Sequence, residues 1–297
     1  MEHRPIFIGG LSFTGKTQLR MMLSAHPNIL ISRRTHLWDR FYNRYGNLDN
    51  SANLEQCLKA MLTFKPIRAL HPNVELLSME FSQGPRTYER LFALLHAQHA
   101  RAEGKSRWGD QLGFIEQYAD RIFAAYPSAK MIHMVRDPGA RSGESRESSP
   151  RWFGRIGWET AWWLSSARLA SRHQKLYPKQ YLIVCYEQLF AFPERTMREV
   201  CDFLGETFYP QMLTHGEIES HSADRQHGLL KRDLHFIHSF AQEPMKYFGY
   251  GYDDLQLSRY ERILYGLALP INLATLLAGT IGAGLGQREI IQTEMSL

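Results

Sequence analysis

Residues Pro5 to Asn28 read PIFIGGLSFTGKTQLRMMLSAHPN, and this stretch decides the fold. Ile6, Phe7 and Ile8 make a short apolar run, Gly9 and Gly10 end it, and Leu19, Met22 and Leu23 recur at helical spacing after Thr17. Between strand and helix, Gly10 to Thr17 spells G-x-x-x-x-G-K-T. Glycines leave backbone N–H groups unhindered, so such a turn at a helix N-terminus can wrap an oxyanion. Lys16 adds a point charge to that cradle. The pattern sits in the strand and helix context that its mechanism requires, which sets it apart from a glycine-rich turn with an incidental lysine. The stretch predicts an anion-binding nucleotide site.

Working outward, a chain of 297 residues with 44% apolar composition fits one large α/β domain, or one with an appended tail, and excludes intrinsic disorder. The formal net charge of +5 comes from scattered Lys and Arg residues, which an anionic small molecule explains as well as nucleic acid. No groove-reading helix or stacking platform points to nucleic acid. Cys57, Cys185 and Cys201 are far apart in apolar or helical surroundings, the pattern of buried thiols in a reducing compartment. Thirteen histidines include His215, His221, His227, His235 and His238, yet no HExxH-type ligand spacing stands out and no metal is expected. Met1 to Arg4 leads straight into the first strand, so no signal peptide is expected and the catalytic domain is placed in the cytoplasm.

Along the chain, Ile29 to Ser32 predicts a second strand, followed by the polar and aromatic run Arg33 to Gly46 at a position where open α/β sheets bind ligands. Helical spacing over Asn53 to Phe64 and Thr87 to Ala102 suggests a substrate-side cover, joined through Pro66 and Pro72. Tyr118 to Tyr126 reads as a helix, and Lys130 to Val135 as a strand ending in Arg136-Asp137-Pro138. A helix from about Trp158 to Leu176, a strand over Tyr181 to Tyr186 and a helix from Pro193 to Leu204 complete the pattern. The alternation predicts an α/β fold with a mainly parallel central sheet flanked by helices.

Four separated blocks together resemble the nucleotide-dependent sulfotransferases, of bacterial type. They are the glycine loop with its downstream His26-Pro27; Arg107 to Pro138, with WGDQ and VRDP; Tyr181 to Glu206, with YEQL, PERT and FLG; and FGYGY, Phe248 to Tyr252. The resemblance implies a P-loop NTPase-like sulfotransferase fold over residues 1-254, with 255-297 as an apolar tail. It also implies transfer of a sulfuryl group from 3′-phosphoadenylyl sulfate to a hydroxyl or amine of a small-molecule, glycan or peptide acceptor, without a metal. Ser12, Phe13, Thr14, Gly15, Lys16, Thr17 and Gln18 would hold the 5′-phosphosulfate, and Arg136 would meet the 3′-phosphate through its planar fork. The serine that assists that arginine in relatives stands eight residues after it; here that position is Glu144, and Ser145 is the nearest choice, with Ser142 as substitute.

Three further positions depart from the family. Phe13 stands where many relatives have a basic residue, Gln111 where they have the lysine of W-G-D-K-T-P, and Arg34 where some have a glutamate base. Lys16 is expected to restore a cation at the leaving phosphate, and His36 or Asp110 to take the acceptor proton. Two other readings share the loop: a P-loop kinase using ATP and Mg²⁺, which needs a strand-borne aspartate, and a nucleotide-binding protein that has lost turnover. Trp152, Trp158, Trp162 and Trp163 could stack on adenine, although their helical spacing favours core packing. Ile263 to Gly286 holds no charged residue over a length that could span a bilayer. Pro270, Asn272 and the glycines favour docking or contact with a membrane interface over a simple span.

Overall fold

A computed structural model of the chain describes residues 4–148, 153–214, 229–251 and 255–285. The first units are β1 (Ile6–Gly10), α1 (Lys16–Ser24) and β2 (Ile29–Arg33). A wide helical turn over Leu37–Phe41 leads to α2 (Ser51–Thr63), α3 (Lys65–Arg68), α4 (Val74–Ser82) and α5 (Tyr88–Ala102). Then come β3 (Arg107–Gln111), a tight turn at Ile115–Tyr118, α6 (Ala119–Ala125), β4 (Lys130–Val135), α7 (Pro138–Ser148) and α8 (Arg155–Leu176). The remainder is β5 (Tyr181–Cys185), α9 (Tyr186–Ala191), α10 (Pro193–Leu204), α11 (Gln211–Thr214), α12 (Lys231–Tyr247) and α13 (Arg259–Leu285).

The strands form one sheet in the order β2-β3-β1-β4-β5, with every pairing parallel. Helices cover both faces, so the central strand β1 is buried along its whole length and carries an unbroken apolar run. Phe7 faces a core with Trp38, Phe92, Trp108 and Tyr126, while Ile6 and Ile8 pack with Leu19 and Leu23 of α1 and Met197 and Leu204 of α10. Each such side chain, fully buried, contributes about 1.5–3 kcal/mol. Because all strands run the same way, their C-terminal ends share one edge, and the segments after β1, β2, β3 and β4 meet there.

Several elements differ from the sequence reading. β3 is a fully buried strand although its sequence is RWGDQ, with Arg107 and the Oδ2 of Asp110 each held by a partner from elsewhere in the chain. Arg107 donates to the Arg4 and Leu204 carbonyls at 2.7 Å each and to Glu206 at 2.9 Å. Residues after Arg136 form helix α7 rather than a turn, and α4 fills the supposed connection after Pro72. α5 is a core helix packed on β2 and β3 through buried Leu91, Phe92 and Leu95, not a cover over the mouth. Trp162 and Trp163 lie in the core with Ile156 and Phe236; Trp152, His215, His221, His227 and Tyr252 fall outside the described residues.

α13 docks along α8. A Cβ at Gly157 would stand 1.9 Å from the Asn272 carbonyl oxygen, so only glycine lets the two backbones come this close. Thr275 donates to the Gly154 carbonyl at 2.5 Å, and Gly279 lies over Ala161. The outward side of α13 is apolar and exposed: Ile263 62%, Leu267 70%, Leu277 64% and Ile281 61%. By length and composition the helix is long and apolar enough to cross a membrane.

Candidate active site

The loop between β1 and α1 is shaped by two left-handed residues. Gly15 has φ 82° and Phe13 has φ 64°, a conformation that a bulky side chain adopts only under strain. A Cβ at Gly15 would lie 2.7 Å from the Tyr186 ring, so glycine is required by space as well as by dihedral. α1 starts after Gly15 with no capping side chain, and the positive end of its dipole opens on the loop. Lys16 is buried, and its Nζ reaches back to donate to the Gly10 and Leu11 carbonyls, the latter at 2.7 Å. The Thr14 hydroxyl donates to the Leu11 carbonyl at 2.7 Å, whereas Thr17 is exposed at the helix start. Ser12 and Gln18 are half-buried beside it.

Beneath the loop sits a buried polar array with no signal in the sequence. Glu116 is fully buried and accepts the Gly10 N–H at 3.0 Å. Its other oxygen lies 3.7 Å from His133 Nε2, and His133 contacts Tyr181 at 2.5 Å and Ser166 at 2.9 Å. Burial pulls the His133 pKa below its ordinary value, against the opposing pull of Glu116. The array anchors the base of the loop from β4, β5 and α8 at once.

Arg136 leaves β4 beside the loop. Its guanidinium donates to the Phe13 carbonyl at 2.8 Å, pairs with Glu144 and lies 3.9 Å from the centre of the Tyr186 ring. Its backbone is fixed too: Trp163 Nε1 donates to the Arg136 carbonyl at 2.9 Å, and Glu187 accepts the next N–H, of Asp137, at 2.9 Å. Tyr186 and Glu187 thus touch the residues that shape the loop and the arginine corner. The Asp137 carboxylate accepts the Ala140 N–H at 2.8 Å and caps α7. Ser145 is buried and faces α8: its hydroxyl donates to Glu159 at 3.1 Å and accepts from Arg155 at 2.8 Å. Glu144, one residue earlier, is the α7 side chain that reaches Arg136.

Across the same edge, the segment after β2 and the end of β3 bring His36 and Asp110 near each other. His36 is buried with φ 56°, and its Nδ1 lies 2.9 Å from Asp39, which orients the ring. Asp110 is fully buried on β3 opposite Phe7, and Thr35 donates to its Oδ2. Burial is the largest influence on this carboxyl and pushes its pKa up to about 7, although Thr35 and His36 pull the other way. His96 of α5, which the sequence reading missed, stands 3.9 Å from Asp110 and stacks on Trp108. Burial drives its pKa down to about 3. Gln111 is buried at the end of β3, and its Oε1 finds no hydrogen-bond partner among the described residues. Among the described residues, no three His, Cys, Asp or Glu side chains stand close enough to hold a metal ion.

Comparison with known proteins places this arrangement. Protein-tyrosine sulfotransferase 2 of Gallus gallus is 24% identical over 228 residues, 72% of this chain and 54% of the relative. Protein-tyrosine sulfotransferase A of Caenorhabditis elegans is 23% identical over 218 residues, 72% and 53% of the two chains. The chain spans about half the length of these curated relatives. Among solved structures, the sulfotransferase domain from the curacin biosynthetic pathway superposes with a TM-score of 0.58 at 18% identity, covering 84% of this chain and 99% of that one. The sulfotransferase domain of the Synechococcus PCC 7002 olefin synthase gives 0.50 at 20% identity, covering 90% and 96%. These two share the fold. The sulfotransferase family itself matches residues 5–210, a span that holds both the glycine loop and Arg136, and the chain belongs to that family.

Proposed function

We propose that the chain moves a sulfuryl group from 3′-phosphoadenylyl sulfate to a hydroxyl or amine acceptor. The observation that carries this reading is the contact between two anion-binding elements on neighbouring strands, in which Arg136 at the end of β4 donates to the Phe13 carbonyl of the loop after β1. One nucleotide carrying phosphates at both ends of its ribose suits a loop and a guanidinium held this close. The loop N–H groups and Lys16 take the 5′-phosphosulfate, and Arg136 takes the 3′-phosphate. In the transfer the acceptor oxygen or nitrogen bonds to sulfur as the bridging S–O bond breaks, and the electron pair leaves on the phosphate. Lys16 stabilises that charge, and His36, held by Asp39, accepts the acceptor's proton at Nε2.

The acceptor is a small molecule, a glycan or a peptide; the tyrosine named for the two curated relatives makes a tyrosine-containing peptide the first to try. The catalytic unit works in the cytoplasm, and the exposed apolar side of α13 lies in a membrane interface. The test is incubation of the full chain with 3′-phosphoadenylyl [³⁵S]sulfate and a panel of phenols, sugars, amines and tyrosine peptides. Label appearing on one acceptor class supports the reading. Tight binding of 3′-phosphoadenosine 5′-phosphate without transfer to any acceptor would favour the lapsed nucleotide-binding protein instead.

A further inference from the structure

The anion that Arg136 holds in this structure belongs to its own chain. Arg136 is 2% exposed, its guanidinium shares one nitrogen between the Phe13 carbonyl and Glu144, and its buried Nε has no hydrogen-bond partner among the described residues. One turn further on, Arg141 is 6% exposed, its Nε and Nη1 likewise have no hydrogen-bond partner among the described residues, and its Nη1 pairs with Glu159 at 3.9 Å. Glu159 is already bound at 2.6 Å by Arg155. The corner therefore offers buried N–H donors from two arginines, and the groups available to neutralise them include Glu144, whose side chain is 26% exposed.

A nucleotide phosphate monoester carries about −1.5 to −2 charges near pH 7 and seeks the same fork of donors. At Arg136 it meets a carboxylate already in place. It must displace Glu144 or bind beside it, and like charges within about 4–6 Å oppose one another. We infer that Glu144 is a specificity-determining residue for the donor: it cancels much of the advantage of a 3′-phosphate, so that this site accepts nucleotides with and without that group to similar extents. This rests on the reading above, in which the loop and Arg136 bind an adenine nucleotide sulfate donor.

The experiment is calorimetric titration of the full chain, wild type and Glu144→Gln, with 3′-phosphoadenosine 5′-phosphate and with adenosine 5′-monophosphate. Wild type is expected to bind the two within about tenfold of each other. In Glu144→Gln, affinity for the 3′-phosphorylated ligand should rise at least about tenfold, the scale of one charge-assisted hydrogen bond, with little change for the monophosphate. Glu144→Ser should behave likewise, and adding Arg136→Ala to either variant should remove the gain. An unchanged ratio between the two ligands, with both still bound, overturns the role of Glu144 and leaves the nucleotide site standing. Failure of wild type and both variants to bind either ligand, with melting curves showing them folded, overturns the nucleotide reading and this inference together.

Discussion

Lys16 turns its ammonium inward to the Gly10 and Leu11 carbonyls, so the same charge that would meet a phosphosulfate also holds the loop in shape. Lys16→Ala should therefore weaken nucleotide binding and turnover together, by about 1.5–3 kcal/mol in binding, as read by titration and steady-state rates. Wild-type values for both would remove Lys16 from the site. His36 and Asp110 can be separated by kinetics: His36→Gln is expected to lower kcat by about 10²-fold with nucleotide affinity unchanged. Should Asp110→Asn abolish turnover while His36→Gln stays active, the proton goes to Asp110. Asp110 also makes a stability prediction. Its folded pKa near 7 lies above the unfolded value near 3.9, so between those values the folded state holds a proton that the unfolded chain has lost. Wild type should lose stability as pH rises through that window, by at most about 1.4 kcal/mol per pH unit from this group. In Asp110→Asn that part of the slope should vanish in urea titrations at pH 5 and pH 7.5.

At the scale of elements, the units read correctly from sequence are those whose local chemistry has one solution. β1, its loop and α1 were legible because glycines bracket an apolar run, and β4 because a buried parallel strand shows as KMIHMV. β3 was not read as a strand, since Arg107 and Asp110 are buried polar residues whose partners are distant in the chain. α7, PGARSGESRES, carries no apolar stripe to read, and its place is set by the Asp137 cap and the arginine cluster. For the site, the loop and Arg136 were visible as motifs. Glu116, His96 and the contact of Tyr186 with Gly15 were not, because each is created by tertiary approach. The α8–α13 contact gives a further test. Gly157→Leu cannot be accommodated 1.9 Å from the Asn272 carbonyl, so α13 should lift from α8. Limited proteolysis should then cut within residues 255–285 far faster than in wild type; unchanged protection would mean the helix can repack.

For the whole molecule, the exposed row Ile263, Leu267, Leu277 and Ile281 predicts association with lipid. The chain should cosediment with phosphatidylcholine vesicles, and Ile263→Glu with Leu267→Glu should reduce the bound fraction several-fold; equal sedimentation of both proteins would exclude this face. α8 gives that surface a second meaning. It carries α13 on Gly154, Gly157 and Ala161, holds the Arg136 carbonyl through Trp163, and touches the array below the loop through Ser166. One stiff rod of 22 residues, about 33 Å long, thus runs from the greasy flank to the Arg136 corner and the base of the glycine loop. Thermodynamic reciprocity then fixes the terms of any conversation between them: if resting on lipid changes the grip on nucleotide by some factor, nucleotide must change the grip on lipid by that same factor.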